Sequence, residues 1–109
     1  MLFFSADDFF AQAAKMPRLT REEERRLAQQ MPQNTAAREQ IIRSYLPMVA
    51  GYIRRAPQEL HTLHTVYIFL DALEKGVDSF NFLQDSERFS HHLSWRLRQC
   101  ITRCIADRK

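Results

Sequence analysis

Glycine occurs only twice and proline four times in 109 residues, so the chain has little of the turn chemistry that a β-sandwich or barrel needs between strands. Long hydrophobic runs are also missing. The apolar stretches fall far short of the roughly 20 residues that span a bilayer. Met1 to Phe4 lacks the basic start and extended apolar segment of a secretory signal. These absences argue against a membrane partner and place the chain in the cytoplasm. Cysteine is scarce too: Cys100 and Cys104 sit four apart in one predicted helix, sharing a face with their Cβ vectors running side by side. No disulfide is expected there, and the two read as small buried thiols.

What is present favours helices and a packed interior. Apolar residues make up 45% of the chain and charged residues 27%, enough to fold rather than remain a solvated tail. Leu, Arg, Gln, Glu and Ala are abundant, and all are good helix formers. The expectation is an all-α fold, a compact bundle of about five helices around one core. One domain spans residues 1–109, with N-terminal helices in 1–34, core helices in 35–80, and an aromatic loop with a last helix in 81–109.

The local signals are legible. Ser5 caps a helix over Ala6 to Lys15, with Asp7 and Asp8 in its first turn, and Pro17 follows its end. Thr20-Arg-Glu-Glu23 is a capping box opening a second helix that runs to Met31. Thr35 is the next cap candidate. From there Ile41, Ile42, Tyr45, Met48, Val49, Tyr52 and Ile53 recur at helical spacing as far as Arg55. Pro47 lies inside that helix and predicts an interruption near Tyr45. A fourth helix is expected over Gln58 to Phe80, then a loop containing Phe80, Phe82 and Phe89. A last helix, capped by Ser90, runs to Asp107.

The net charge is only +3, but it is uneven: Arg88, Arg96, Arg98, Arg103, Arg108 and Lys109 face a lone Asp107. In the last helix Leu93, Leu97, Cys100, Ile101, Cys104 and Ile105 share one side and should meet the core. Trp95, Gln99 and Thr102 then form an exposed ridge flanked by Arg96, Arg98 and Arg103. A Gln amide pairs with an adenine edge, Thr touches a thymine, Arg neutralises phosphate and Trp stacks on an unpaired base. Spacing alone leaves a second reading open, an ordinary amphipathic helix with a half-buried tryptophan.

Over Phe89 to Asp107 the chain resembles the signature of the sigma-70 family of bacterial RNA polymerase sigma factors, F-S-T-Y-A-x-W-W-I-R-Q-A-I-T-R-x-I-A-D. Phe89, Ser90, Trp95, Arg98, Gln99, Ile101, Thr102, Arg103, Ile105, Ala106 and Asp107 match in one ungapped register. Leu19-Thr-Arg-Glu-Glu-Glu24 with Arg26-Leu27-Ala28 is similar to the family's L-T-x-E-E-E-x-x-L-A. Ala37 to Ile42, Tyr45 to Val49 and Ile53 to Arg55 are similar to its core helix. The resemblance runs from about Asp8 to Arg108, the family's regions one-point-two through two-point-four, and covers none of its downstream domains.

This resemblance implies a non-enzymatic helical module that binds the clamp helices of core RNA polymerase and the minus-ten element of promoter DNA, without a cofactor or metal. Gln99 and Thr102 match the readers of the duplex edge, Trp95 a tryptophan at the melting point. Phe89 and His92 belong to the surface that receives flipped bases, and Arg96, Arg98 and Arg103 flank it. By position, Tyr67, Leu70, Leu73 and Glu74 fall to polymerase binding, and an anti-sigma factor is a further expected partner.

Two departures stand out. Arg96 replaces the second tryptophan, and His91 and His92 replace Thr and Tyr, which thins the stacking surface. The family's D-L-I-Q-E-G-N-I-G-L reads His64-Thr-Val-Tyr-Ile-Phe-Leu-Asp-Ala-Leu73 here, with Tyr67, Ile68 and Phe69 in place of acidic and amide groups. That stretch suits a more apolar docking face, a different partner or self-association. The alternative function is therefore a degenerate sigma-like interaction module. His61, His64, His91 and His92 lack an accompanying carboxylate or thiol cluster, so no metal site is expected.

Overall fold

The computed structural model describes residues 2–107, and in them the chain forms six α-helices and one 3-10 turn, with no strand. Arg108 and Lys109, the end of the expected cationic stripe, lie outside the described residues. The all-α expectation holds, with one more helix than about five because the central helix divides.

Helix α1 spans Ala6–Ala13, and Ser5 caps it by accepting from the Asp8 amide at 3.0 Å. Helix α2 spans Arg21–Gln30 and carries the full capping box. The Glu23 amide donates to the Thr20 hydroxyl at 3.1 Å, and the Thr20 amide donates back to the Glu23 carboxylate at 2.9 Å. Helix α3 spans Thr35–Ser44, and here the cap differs from expectation. Asn34 takes the role and Thr35 is the first helical residue. The Asn34 side-chain Oδ1 accepts from both the Ala36 and Ala37 amides, satisfying two orphan donors at once.

Pro47 acts as anticipated. Tyr45 sits at φ −100° and ψ 0°, ending α3 and starting α4, which spans Leu46–Arg55. Proline then falls in the first turn of a helix, where its missing N–H has no intrahelical partner to lose. The fourth predicted helix is shorter than its periodicity suggested. Gln58–Leu60 is a separate 3-10 turn, and α5 begins at Leu63 with the Thr62 hydroxyl as its cap, running Leu63–Ser79. Helix α6 spans Phe89–Asp107, so Ser90 lies inside it rather than capping it. The His91 and His92 amides instead donate to the Arg88 carbonyl.

The core is drawn from every helix except α2. Phe9, Ile41, Ile42, Leu46, Val49, Ile53, Val66, Phe69, Leu73, Leu93 and Leu97 are all fully buried. Helix α5 packs against α1, α3, α4 and α6, and α2 packs on α3. Gly76 lets α5 pack closely against α6: a Cβ there would lie 3.3 Å from the Arg96 side chain and 3.5 Å from the Phe89 ring. Helix α2 buries no residue completely; Leu27 and Ala28 pack half-buried against the core, and polar contacts add to them. Arg25 pairs with Asp85 and donates to the Leu83 carbonyl at 2.9 Å, pinning α2 to the loop before α6. No helix among the described residues is long and apolar enough to cross a membrane.

Candidate nucleic-acid interface

Helix α6 divides by period. Phe89, Leu93, Leu97, Cys100 and Cys104 are buried, which turns Trp95, Gln99 and Thr102 outward along one ridge. Trp95 is 56% exposed, an unusual state for the largest apolar side chain. Ile101 is only partly buried and Ile105 is exposed although Cys104 between them is buried, so the two isoleucines sit at the edge of the buried stripe. Both cysteines are free buried thiols, and burial pushes each above its ordinary range.

The flanking arginines are not equivalent. Arg98 and Arg103 are exposed, whereas Arg96 is folded back onto the protein. Its Nε donates to His92 Nε2 at 3.0 Å and a terminal nitrogen reaches the Ser79 hydroxyl at 3.3 Å, so much of its hydrogen-bonding capacity is spent internally. Thr102 is also partly engaged: its hydroxyl donates to the Arg98 carbonyl at 3.1 Å, leaving lone pairs but no free proton for a base edge.

The aromatic segment differs most from expectation. Phe89 is 1% exposed and Phe82 7%, so neither offers a stacking platform. Their rings lie 5.0 Å apart, with Phe80 at 5.1 and 5.3 Å from them and Tyr45 at 4.8 Å from Phe89. This cluster seats the loop on the core, a gain in buried aromatic area that outweighs exposure. His92 is half-buried and lies at a tilt 5.2 Å from Phe80.

The expected polymerase-binding residues separate in the same way. Leu70 is 5% exposed and Leu73 fully buried, and both pack the interior, as does Phe69 from the apolar stretch. They occupy the inward positions of α5 between α1, α3, α4 and α6. Tyr67 is 36% exposed, and Glu74 and Ile68 are partly exposed. The outer flank of α5 thus carries Tyr67, Ile68 and Glu74 with His64, Asp71 and Lys75.

Two concavities adjoin α6. A groove of about 530 Å³ runs between α5 and α6, with Trp95, Gln99 and Arg103 on one wall and Tyr67, Ile68 and Lys75 on the other. A cleft of about 490 Å³ lies at the other end, between α2, α4 and the start of α6. Arg18, Arg21, Arg25, Arg55 and Arg88 line it, with Tyr45, Met48 and Ser90. The spacing of α6 could not reveal this cleft, because its arginines come from three separate stretches of the chain, 18–25, 55 and 88. The signal available was Ile53-Arg-Arg55, a part of the core-helix resemblance.

Between ridge and cleft lies a polar link. The Tyr52 hydroxyl is hydrogen-bonded to the Ser94 hydroxyl, and the Arg55 guanidinium stands 4.8 Å from the Tyr52 ring centre. The Ser94 bond, then Arg98 and Arg55, hold the Tyr52 phenol below its ordinary value. A cationic path therefore leads from Arg98 through Arg55 to the arginine-lined cleft, and such a path favours a polyanion.

No family model matches the chain, and no solved structure does. In sequence it is similar to the RNA polymerase sigma factor SigA of Clostridium acetobutylicum, 30% identical over 107 aligned residues. That alignment covers 91% of this chain and 26% of the relative, so the chain spans about a quarter of that protein's length. The relationship is therefore to an RNA polymerase sigma factor, at a distance and over that quarter.

Proposed function

We propose that this chain is a sigma-type promoter-binding module, in which α6 contacts the minus-ten promoter element and the α5 flank docks on core RNA polymerase. The observation that carries the reading is Trp95. Its ring is left 56% exposed on a ridge with Gln99, beside Arg98 and Arg103, in a chain similar to a sigma factor. Exposing so large an apolar side chain forgoes burial worth about 1.5 to 3 kcal/mol, and a ligand that stacks on it recovers that.

In this reading Arg98 and Arg103 hold phosphates, Gln99 reads a base edge, and Trp95 stacks where the strands part. Arg96 and His92 brace the ridge from behind, and Phe89 supports it from the core instead of meeting DNA. The displaced strand follows Arg98 and Arg55 toward the arginine-lined cleft, whose size and Tyr45 and Met48 walls suit an unpaired base. Docking on polymerase falls to Tyr67, Ile68 and Glu74, without Leu70 and Leu73.

The test is fluorescence anisotropy of a single-stranded non-template minus-ten oligonucleotide against a scrambled control, with and without core RNA polymerase. The expected result is a preference for the promoter strand that Trp95→Ala and Gln99→Ala each remove. Equal or absent binding of both strands in both conditions would overturn the reading in favour of an interaction module.

A further inference from the structure

Residues 2–5 form a strap that leaves α1 and lies on α5. Phe3 is its anchor, 6% exposed and edge-on to Phe9 at 5.1 Å. The Tyr67 hydroxyl grips the same residue from α5: the Phe3 amide donates to it at 3.1 Å, and the hydroxyl faces the Phe3 carbonyl at 3.5 Å. A third tie is the Phe4 amide, which donates to Asp8 Oδ2 at 2.9 Å. Leu2 and Phe4, on either side of the anchor, are 88% and 96% exposed, so one side chain holds the strap.

Tyr67 is the most exposed aromatic of the α5 flank, and its one polar atom is committed to the strap. We propose that the strap is an autoinhibitory latch on α5: it occupies the hydroxyl end of Tyr67, and a docking polymerase must displace it to cover the whole of that side chain. The inference rests on the reading of that flank as the polymerase face. A partner that binds only the unlatched form has its apparent affinity lowered by the fraction of molecules in that form. One phenylalanine and three hydrogen bonds are few enough to open locally while the helices stay folded.

The test compares the affinity of the full chain for core RNA polymerase with that of Phe3→Ala, Asp8→Ala and Tyr67→Phe. Phe3 and Asp8 lie off the α5 flank, and Tyr67→Phe removes only the hydroxyl. The expected result is tighter binding, roughly ten-fold or more for Phe3→Ala and about two- to ten-fold for each of the others. Circular dichroism should show unchanged helix content, and the two milder variants carry the test if Phe3→Ala unfolds. Equal, measurable affinities for all four proteins would overturn the latch alone. Absence of polymerase binding by all four would overturn the docking reading and the latch with it.

Discussion

The Tyr45 hydroxyl donates to the Glu24 carboxylate at 2.7 Å, joining α2 to the break between α3 and α4. Both residues are half-buried at the rim of the arginine-lined cleft. Burial pushes the Glu24 carboxyl above its ordinary value, against the pull of Tyr45 and the nearby arginines. Burial and the same bond hold the Tyr45 phenol well above its usual range. Because α2 buries no residue fully, this bond is a principal tie between it and the core.

Tyr45→Phe should therefore loosen α2. It leaves a partly desolvated carboxylate without its donor, a loss of about 1 to 2 kcal/mol. That corresponds to a fall in Tm of about 4 to 8 °C for each kcal/mol in a domain of this size. Thermal unfolding followed by circular dichroism checks it, and an unchanged Tm would show that the Leu27 and Ala28 packing and the arginine contacts hold α2 without this bond.

The helices were legible where a side chain or its period decides locally. Ser5, the Thr20 and Glu23 box and Pro47 all act over a few residues, and each appears where the sequence placed it; the apolar spacing located α5 and α6 but overran the start of α5. Signals failed where tertiary competition decides. Asn34 displaced Thr35 as a cap by serving two amides, and Phe82 and Phe89 were drawn into an aromatic cluster that no local rule announces. Leu70 and Leu73 show a different limit. Alignment to a motif gives a position along α5, but which of its sides is covered depends on the helices around it. The ridge of α6 was legible because it stays on one helix, whereas the cleft was not, being assembled from segments far apart in the chain.

On the ridge, Gln99 and Thr102 should contribute unequally. Thr102 has its proton committed to the Arg98 carbonyl, while the Gln99 amide has no hydrogen-bond partner among the described residues. Gln99→Ala should reduce discrimination at one base pair by about 1 to 3 kcal/mol, five- to 150-fold in relative affinity. Thr102→Val keeps the methyl and shape, and should change binding by less than about three-fold. Competition titrations against oligonucleotides varied at single positions measure both, and equal losses would assign the hydroxyl a direct contact.

Stability should fall in acid partly through Arg38 and Asp78. Arg38 meets both carboxylate oxygens, at 2.7 and 2.9 Å, tying α3 to the end of α5. That contact lowers the Asp78 carboxyl below its ordinary value of 3.8. A depressed carboxylate stabilises the fold at pH above 3.8, and the contribution fades as pH falls through the lower folded value. The Asp78 side chain is 54% exposed, so solvent screening limits the pair to about 1 kcal/mol or less. Arg38→Ala should thus lie below the parent in Tm at neutral pH and converge with it in strong acid. A gap that persists unchanged through acid would assign the loss to packing of the Arg38 stem.

Gly51 separates stability from binding. It lies within α4 and lines the arginine-lined cleft, and a Cβ there would meet only the Arg55 terminal nitrogen, at the ordinary contact distance of 3.6 Å. Replacing a helical glycine by alanine removes backbone freedom from the unfolded chain, so Gly51→Ala should stabilise the fold by about 0.5 to 1 kcal/mol. The added methyl also narrows the cleft wall. If an unpaired base enters there, the variant should melt at higher temperature yet bind the promoter strand more weakly, a combination that loss of structure cannot produce. Higher Tm with unchanged strand affinity would place the displaced strand outside the cleft and confine DNA contact to the ridge of α6.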